Sequence, residues 1–149
     1  MKAAFFLLAL LTAVISNAQQ LIEVNGVYCT ANGKVFTGEY TTYYPHGEKA
    51  ATYSIQDGHL HKNVTYFREN GSVEMTGSFH KGKKDGIWRS HDEQGQLVAE
   101  ARFKKGERIG EWIINDPFSN NAFMLYYAKD RLINSRQVNK GDLPVVSYR

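Results

Sequence analysis

The feature that most constrains this chain is a pattern that occurs twice. Phe79-x-x-Gly82-x-x-x-Gly86-x-Trp88 returns downstream as Phe103-x-x-Gly106-x-x-x-Gly110-x-Trp112. The interval from Phe79 to Phe103 is the period, and it lines up further columns. Gly47, Gly71 and Gly95 form one, Gly58, Gly82 and Gly106 a second, and Ile55, Phe79 and Phe103 a third. Tyr40, Val64, Trp88 and Trp112 form a fourth, and Gly38, Gly86 and Gly110 a fifth, broken by Lys62. Self-similarity at a fixed period marks a chain built from one small unit that cannot bury its apolar side alone.

Between the glycines the chain alternates. Leu97, Ala99, Ala101 and Phe103 oppose Gln96, Val98, Glu100 and Arg102; Val73, Met75, Gly77 and Phe79 oppose Ser72, Glu74, Thr76 and Ser78. Period two with one apolar face is a half-buried strand. Their partners, Gly38–Tyr44, Asn63–Arg68 and Gly86–His91, are rich in Tyr, Thr, Val and Trp, which suit a pleated surface. Turns fall at Pro45-His46-Gly47, Glu69-Asn70-Gly71 and Glu93-Gln94-Gly95, with Asn70-Gly71 the strongest signal because both residues tolerate positive φ. The Asp57-Gly58 and Lys-Lys-Gly stations serve the opposite edge. The expectation is an all-β fold: an antiparallel meander of stacked hairpins forming a single-layer sheet, its recurring aromatics stacked across strands.

The units read as 38–58, 62–82, 86–106 and a diverged 110–141. In the last, Asp130–Gly141 aligns with Gly95–Gly106, an offset longer than the period that calls for an insertion near 116–121. The segment near 119–129 reads as a strand, with a helix capped by Ser119 or Asn120 as the alternative. Residues 19–37 read as a capping hairpin in which Val27-Tyr28-Cys29 pairs with Lys34-Val35-Phe36; Leu143-Pro144-Val145-Val146 closes the other end. Residues 1–18 read as a secretory signal, with basic Lys2, the apolar run Ala3–Ile15 and the small-residue close Ser16-Asn17-Ala18. Export to the periplasm, cell surface or medium is therefore expected.

Composition narrows the chemistry. The formal net charge of +3, or +2 without Lys2, is too weak an excess to point to nucleic acid. One cysteine, Cys29, leaves no internal disulfide. Five histidines (His46, His59, His61, His80, His91) sit in the first units. His59 and His61 share a strand face, but no third ligand or metal motif accompanies them, so neither metal nor cofactor is expected. Neither G-x-S-x-G nor a phosphate loop occurs. Glu39, Glu74, Glu100 and Glu111 do not single out a catalytic pair. Two candidate contact surfaces remain. Lys83, Lys84, Lys104 and Lys105 gather positive charge at one edge, interrupted by Asp85 and Glu107. Tyr43, Phe67 and His91 occupy the parity opposite to Tyr40, Val64, Trp88 and Trp112.

The turn motif Y-x-x-N/H-G followed by F-x-x-G-x-x-x-G-x-W resembles the MORN repeat, in the bacterial variant found in antitoxin-like repeat proteins. Departures are Lys62 and Asp130 in place of glycine, and His91 where Tyr43 and Phe67 stand. The resemblance implies an elongated, twisted antiparallel sheet, and association with protein or lipid rather than a reaction. The expected function is a non-enzymatic binding or scaffold module contacting another protein, or an envelope lipid or glycan. A periplasmic antitoxin or immunity-like protein and a hydrolase are the alternatives, and a homodimer is a further arrangement.

Overall fold

The computed structural model describes residues 20–143. The secretory segment expected at 1–18 and residues 144–146 of the expected closing stretch lie outside them. A small hairpin pairs β1 (Leu21–Val24) with β2 (Val27–Thr30). The main sheet then takes β3 (Gly38–Tyr43), β4 (Lys49–Gln56), β5 (His59–Phe67), β6 (Val73–His80) and β8 (Gly86–His91). It continues through β9 (Leu97–Lys104), β11 (Gly110–Asn115), β12 (Asn121–Ala128) and β13 (Arg131–Asn139). These nine lie side by side in chain order, every pair antiparallel. Two short strands, β7 (Lys83–Lys84) on β6 and β10 (Glu107–Arg108) on β9, complete it. The sheet is elongated and open, with β3 and β13 outermost.

Two kinds of turn alternate along its edges. On one edge both central residues have positive φ: Asp57 and Gly58 (50° and 74°), Lys81 and Gly82 (49° and 75°), Lys105 and Gly106 (52° and 90°), Lys129 and Asp130 (48° and 66°). These angles are those of a type I′ turn, whose twist matches a two-residue hairpin. At each the second residue's N–H donates to a carbonyl nearly one period back: Gly58 to Phe36, Gly82 to Leu60 and Gly106 to Lys84 at 2.8 Å, Asp130 to Arg108 at 3.1 Å. On the other edge only the glycine is left-handed (Gly47, Gly71, Gly95), and its N–H closes a tight turn onto Tyr44, Arg68 or Asp92. A strand bulge accompanies each, at Thr42/Tyr43, Tyr66/Phe67 and Ser90/His91. Asn70-Gly71 thus belongs to a longer loop with a bulge, and Asn70 does not take positive φ as its sequence suggested. The Asn70 side chain instead accepts from the Ser72 N–H at 2.9 Å.

The fourth unit keeps the register of the others. Lys129-Asp130 stands where Lys105-Gly106 does, and β12 begins at Asn121, one period after Leu97. The expected longer offset and the insertion near 116–121 are therefore corrected: unit 110–130 has the span of the others, and β13 follows it. Ser119 stands in the glycine column, and Asp116 caps the loop as Asp92 does one unit earlier, accepting from Phe118 N–H at 2.9 Å and Ser119 Oγ at 2.7 Å. Of the two readings of 119–129, the strand is the one formed, since Phe123, Leu125 and Tyr127 alternate along one face. At the positive-φ station shared with Gly38, Gly86 and Gly110, Lys62 holds φ of 60° without the benefit of glycine.

One face of the sheet is aromatic. Large and small side chains meet across strands at a repeated station. The pairings Met75↔Ser90 and Thr76↔Arg89 carry Gly77 opposite Trp88, and Glu100↔Ile113 carries Ala101 opposite Trp112. Earlier in the chain Tyr53 faces Val64. A Cβ on Gly77 would stand 2.2 Å from the Trp88 ring, so glycine there is what lets the indole lie flat on the strand. The indole N–H of Trp88 donates to the Ser78 carbonyl, and that of Trp112 to the Arg102 carbonyl, both at 3.1 Å. Trp88, Val64, Ala51 and Ile55 are buried on this face. The N-terminal segment docks on the turn between β4 and β5: Cys29 bridges Val35, Tyr28 N–H donates to the Gly58 carbonyl, and Val27 packs so closely that a Cβ on Gly58 would meet it at 2.4 Å.

Candidate functional site

The rings of the aromatic face form one continuous row. Tyr40, Tyr53, Tyr66, Trp88, Phe103, Trp112 and Tyr127 succeed one another with centres 5.0–6.5 Å apart, and Phe79 meets Trp88 edge-on. Aromatic pairs at such distances add to the area they bury. Burial within the row pushes the Tyr66 phenol up to about 12 from its ordinary 10.0 and raises that of Tyr53 as well. The two ends of the row differ. Its beginning adjoins the N-terminal hairpin, whose Tyr28 lies close to Tyr53 and Tyr40. At its far end Ile114, Phe123 and Leu132 are 38%, 43% and 48% exposed, and Ile114 and Phe123 are directly opposed across β11 and β12.

Two cations sit on this row at equivalent stations. The Lys84 ammonium lies 4.1 Å from the Trp88 ring centre and 5.1 Å from that of Phe103. Arg108, one period on, places its guanidinium 4.7 Å from the Tyr127 ring. Both arrangements are cation–π contacts. Partial burial lowers the pKa of Lys84. Arg108 is also held by Asp130, Nε to Oδ1 at 3.0 Å, and the same carboxylate accepts the Arg108 backbone N–H. These bonds, the backbone one first, hold the Asp130 carboxyl below its ordinary range. The residues before them at this station are Phe36 and Leu60, so the column changes from apolar to cationic along the chain.

The other face is more polar. Thr41, Thr52, Thr65, Thr76, Arg89 and Glu100 stand opposite one another on successive strands, followed by Ile113, Met124 and Arg136. Glu100, which alternation places on the polar face, is buried at 3% exposure. Arg89 Nε reaches it at 2.9 Å and Arg102 Nη2 at 3.7 Å, which supplies the charge that a buried carboxylate needs. His61 and His80 also meet, on neighbouring strands, with ring centres 5.2 Å apart.

The residues singled out from sequence fall in different settings. Lys83, Lys104 and Lys105 are exposed near the type I′ edge, whereas Lys84 is folded onto the aromatic row and leaves their patch. Asp85 is tied to the neighbouring turn, accepting the Lys105 backbone N–H at 2.9 Å. Of Tyr43, Phe67 and His91, only Tyr43 is exposed (49%). Phe67 and His91 are half-buried, and their carbonyls accept bonds from the preceding unit: Tyr44 OH to Phe67 O at 2.7 Å, and Arg68 Nη2 to His91 O. These bonds stitch unit to unit. The exposed pair Ile114 and Phe123, and Leu132 beside Tyr127 on the outermost strand, carry no marker in the repeat; a strict step of one period from Ala99 to Phe123 places that ring on the aromatic face.

Among the described residues, no group of three or more His, Cys, Asp or Glu side chains is arranged to hold a metal ion. No helix among them is long and apolar enough to cross a membrane. No protein-family model matches the chain, and no curated protein does. Among solved structures, the crystal structure of the GtfA/B complex bound to UDP and GlcNAc contains a similar chain, at 9% identity and a TM-score of 0.38. The similarity covers 80% of this chain and 23% of that one.

Proposed function

We propose that this chain is a non-enzymatic binding or scaffold module of MORN-like repeats, exported to the cell envelope, that contacts another protein through the far end of its aromatic face. The observation that supports this reading is the asymmetry of the aromatic row. At its first strands the chain's own N-terminal hairpin packs on the Gly58 turn and brings Tyr28 close to Tyr53 and Tyr40, while Ile114, Phe123 and Leu132 are exposed at its last strands. Exposed apolar side chains at the open end of a rigid sheet, the opposed pair Ile114 and Phe123 with Leu132 beside Tyr127, favour association, and aromatic residues are enriched where protein contacts are strongest. A repeat-built sheet supplies rigidity without a deep cleft. The test is affinity capture from the native envelope fraction followed by mass spectrometry. It compares the chain with a triple variant, Ile114→Ser, Phe123→Ser and Leu132→Ser, whose far-ultraviolet spectrum and melting are checked first. A protein captured by the parent and lost with the variant is the expected result. Equal capture by both refutes the assignment of the face.

A further inference from the structure

We infer that His61 and His80 form a two-histidine chelate for a late first-row divalent cation, bound most tightly as Cu2+. The two residues flank the pairing Lys62↔Phe79 that ends the β5–β6 ladder, His61 before it on β5 and His80 after it on β6. Their ring centres are 5.2 Å apart and their planes inclined by 49°. That separation is the one a shared ion requires. A metal–nitrogen bond of about 2.0–2.1 Å, plus about 1.1 Å from nitrogen to ring centre, puts each centre about 3.2 Å from the ion. Two such rings subtending a tetrahedral angle have centres about 5.2 Å apart, and at a right angle about 4.5 Å. The observed distance lies at the upper value, and rotation of two partly solvated rings covers the range down to the lower. One nitrogen from each ring binds, and water fills the remaining positions.

The setting favours the chelate. Both histidines project from neighbouring strands of one sheet, and their rings already lie together before any ion arrives. The second nitrogen therefore binds at a high effective concentration. His61 lines a shallow depression shared with Glu39 and Asp57, whose carboxylates oppose the charge of nearby Lys62. Imidazole suits Cu2+, Ni2+ and Zn2+, and the general order of divalent affinities puts Cu2+ first. The spacing within β5 had pointed to His59 with His61; the cross-strand neighbour is His80 instead.

The test is titration of the full chain, without a histidine tag, with Cu2+ and separately with Mg2+ at neutral pH. Calorimetry gives affinity and stoichiometry, and electron paramagnetic resonance counts coordinated nitrogens. One Cu2+ per chain with two nitrogen ligands is expected, and no Mg2+ binding. His61→Gln and His80→Gln should each weaken Cu2+ at least about tenfold, because either loss reduces a chelate to a single imidazole. His46→Gln should leave binding unchanged. Melting curves of the metal-free variants establish that each is folded. Absence of saturable Cu2+ binding, a single coordinated nitrogen, or equal loss with His46→Gln would overturn the assignment.

Discussion

Placing a methyl group on Gly77 should break the contact on which the aromatic face is organised. A Cβ there would lie 2.2, 2.4 and 2.6 Å from three atoms of the Trp88 ring, well inside contact distance. Two responses are open to the chain. If the strands and ring move apart by about 1 Å, the shift that 2.2 Å demands, overpacking costs about 1–3 kcal/mol. If the indole swings into water, it forfeits the burial of about 150–250 Å2. At about 25 cal/mol per Å2 that is about 4–6 kcal/mol, so the smaller adjustment sets the expected cost. The assay is urea unfolding followed by far-ultraviolet circular dichroism, in a cycle with Trp88→Val. Val64 already occupies the corresponding station one unit earlier, so the valine has a precedent in the same sheet. Without the indole, Gly77→Ala should stabilise the strand by about 0.5–1 kcal/mol, the usual advantage of alanine over glycine. The two substitutions should therefore couple by about 1.5–4 kcal/mol. If Gly77→Ala stabilises both backgrounds equally, the ring does not lie on Gly77 and the account of the aromatic face fails.

Two further outcomes follow from local geometry. Lys81→Asn should raise the urea midpoint, with a gain of about 0.5–1 kcal/mol, because Lys81 holds a left-handed conformation (φ of 49°) that asparagine tolerates better; a lowered midpoint would contradict this. Because burial raises the Tyr66 phenol to about 12 from 10.0, the unfolded chain releases that proton first. Its contribution is intact below pH 10.0 and is lost as pH rises toward about 12. Tyr66→Phe should therefore flatten the fall of melting temperature with pH in that window, and an unchanged slope would show that Tyr66 is not the group responsible.

The strands were legible because two signals agreed: alternation along QLVAEARF and glycines at a constant interval. The turn chemistry was legible only in part. Asn70-Gly71 looked like the stronger two-residue turn, yet Lys81-Gly82 and Lys105-Gly106 take that conformation, because the strand pairing fixes how many residues must span each gap. Lysine preferences argue against a left-handed backbone, and the ladder overrides them. The fourth unit was misaligned because Ser119 and Asp130 replace the marker glycines, while Lys129-Asp130 keeps the turn through the bonds to Arg108. Surface assignment was least legible. Alternation gives the face on which Lys84 begins but not that its stem folds over Trp88, and it marks Glu100 as polar without revealing the two arginines that enclose it. The meeting of His61 with His80 depends on register between strands, which no single strand encodes.

The reciprocal sizes at the repeated station bear on the order of the units. Excising residues 62–85 would preserve the period and nearly every backbone bond, since Gly86 would simply take the place of Lys62. It would also bring Tyr53 opposite Trp88, two large rings at a junction where the chain otherwise sets a large group against a smaller one. The modules are thus not all interchangeable. Tyr53 on the first unit's outgoing strand is matched to Val64, whereas Gly77 and Ala101 each admit an indole, so the units that follow could trade places while the first could not receive a tryptophan-bearing neighbour without crowding.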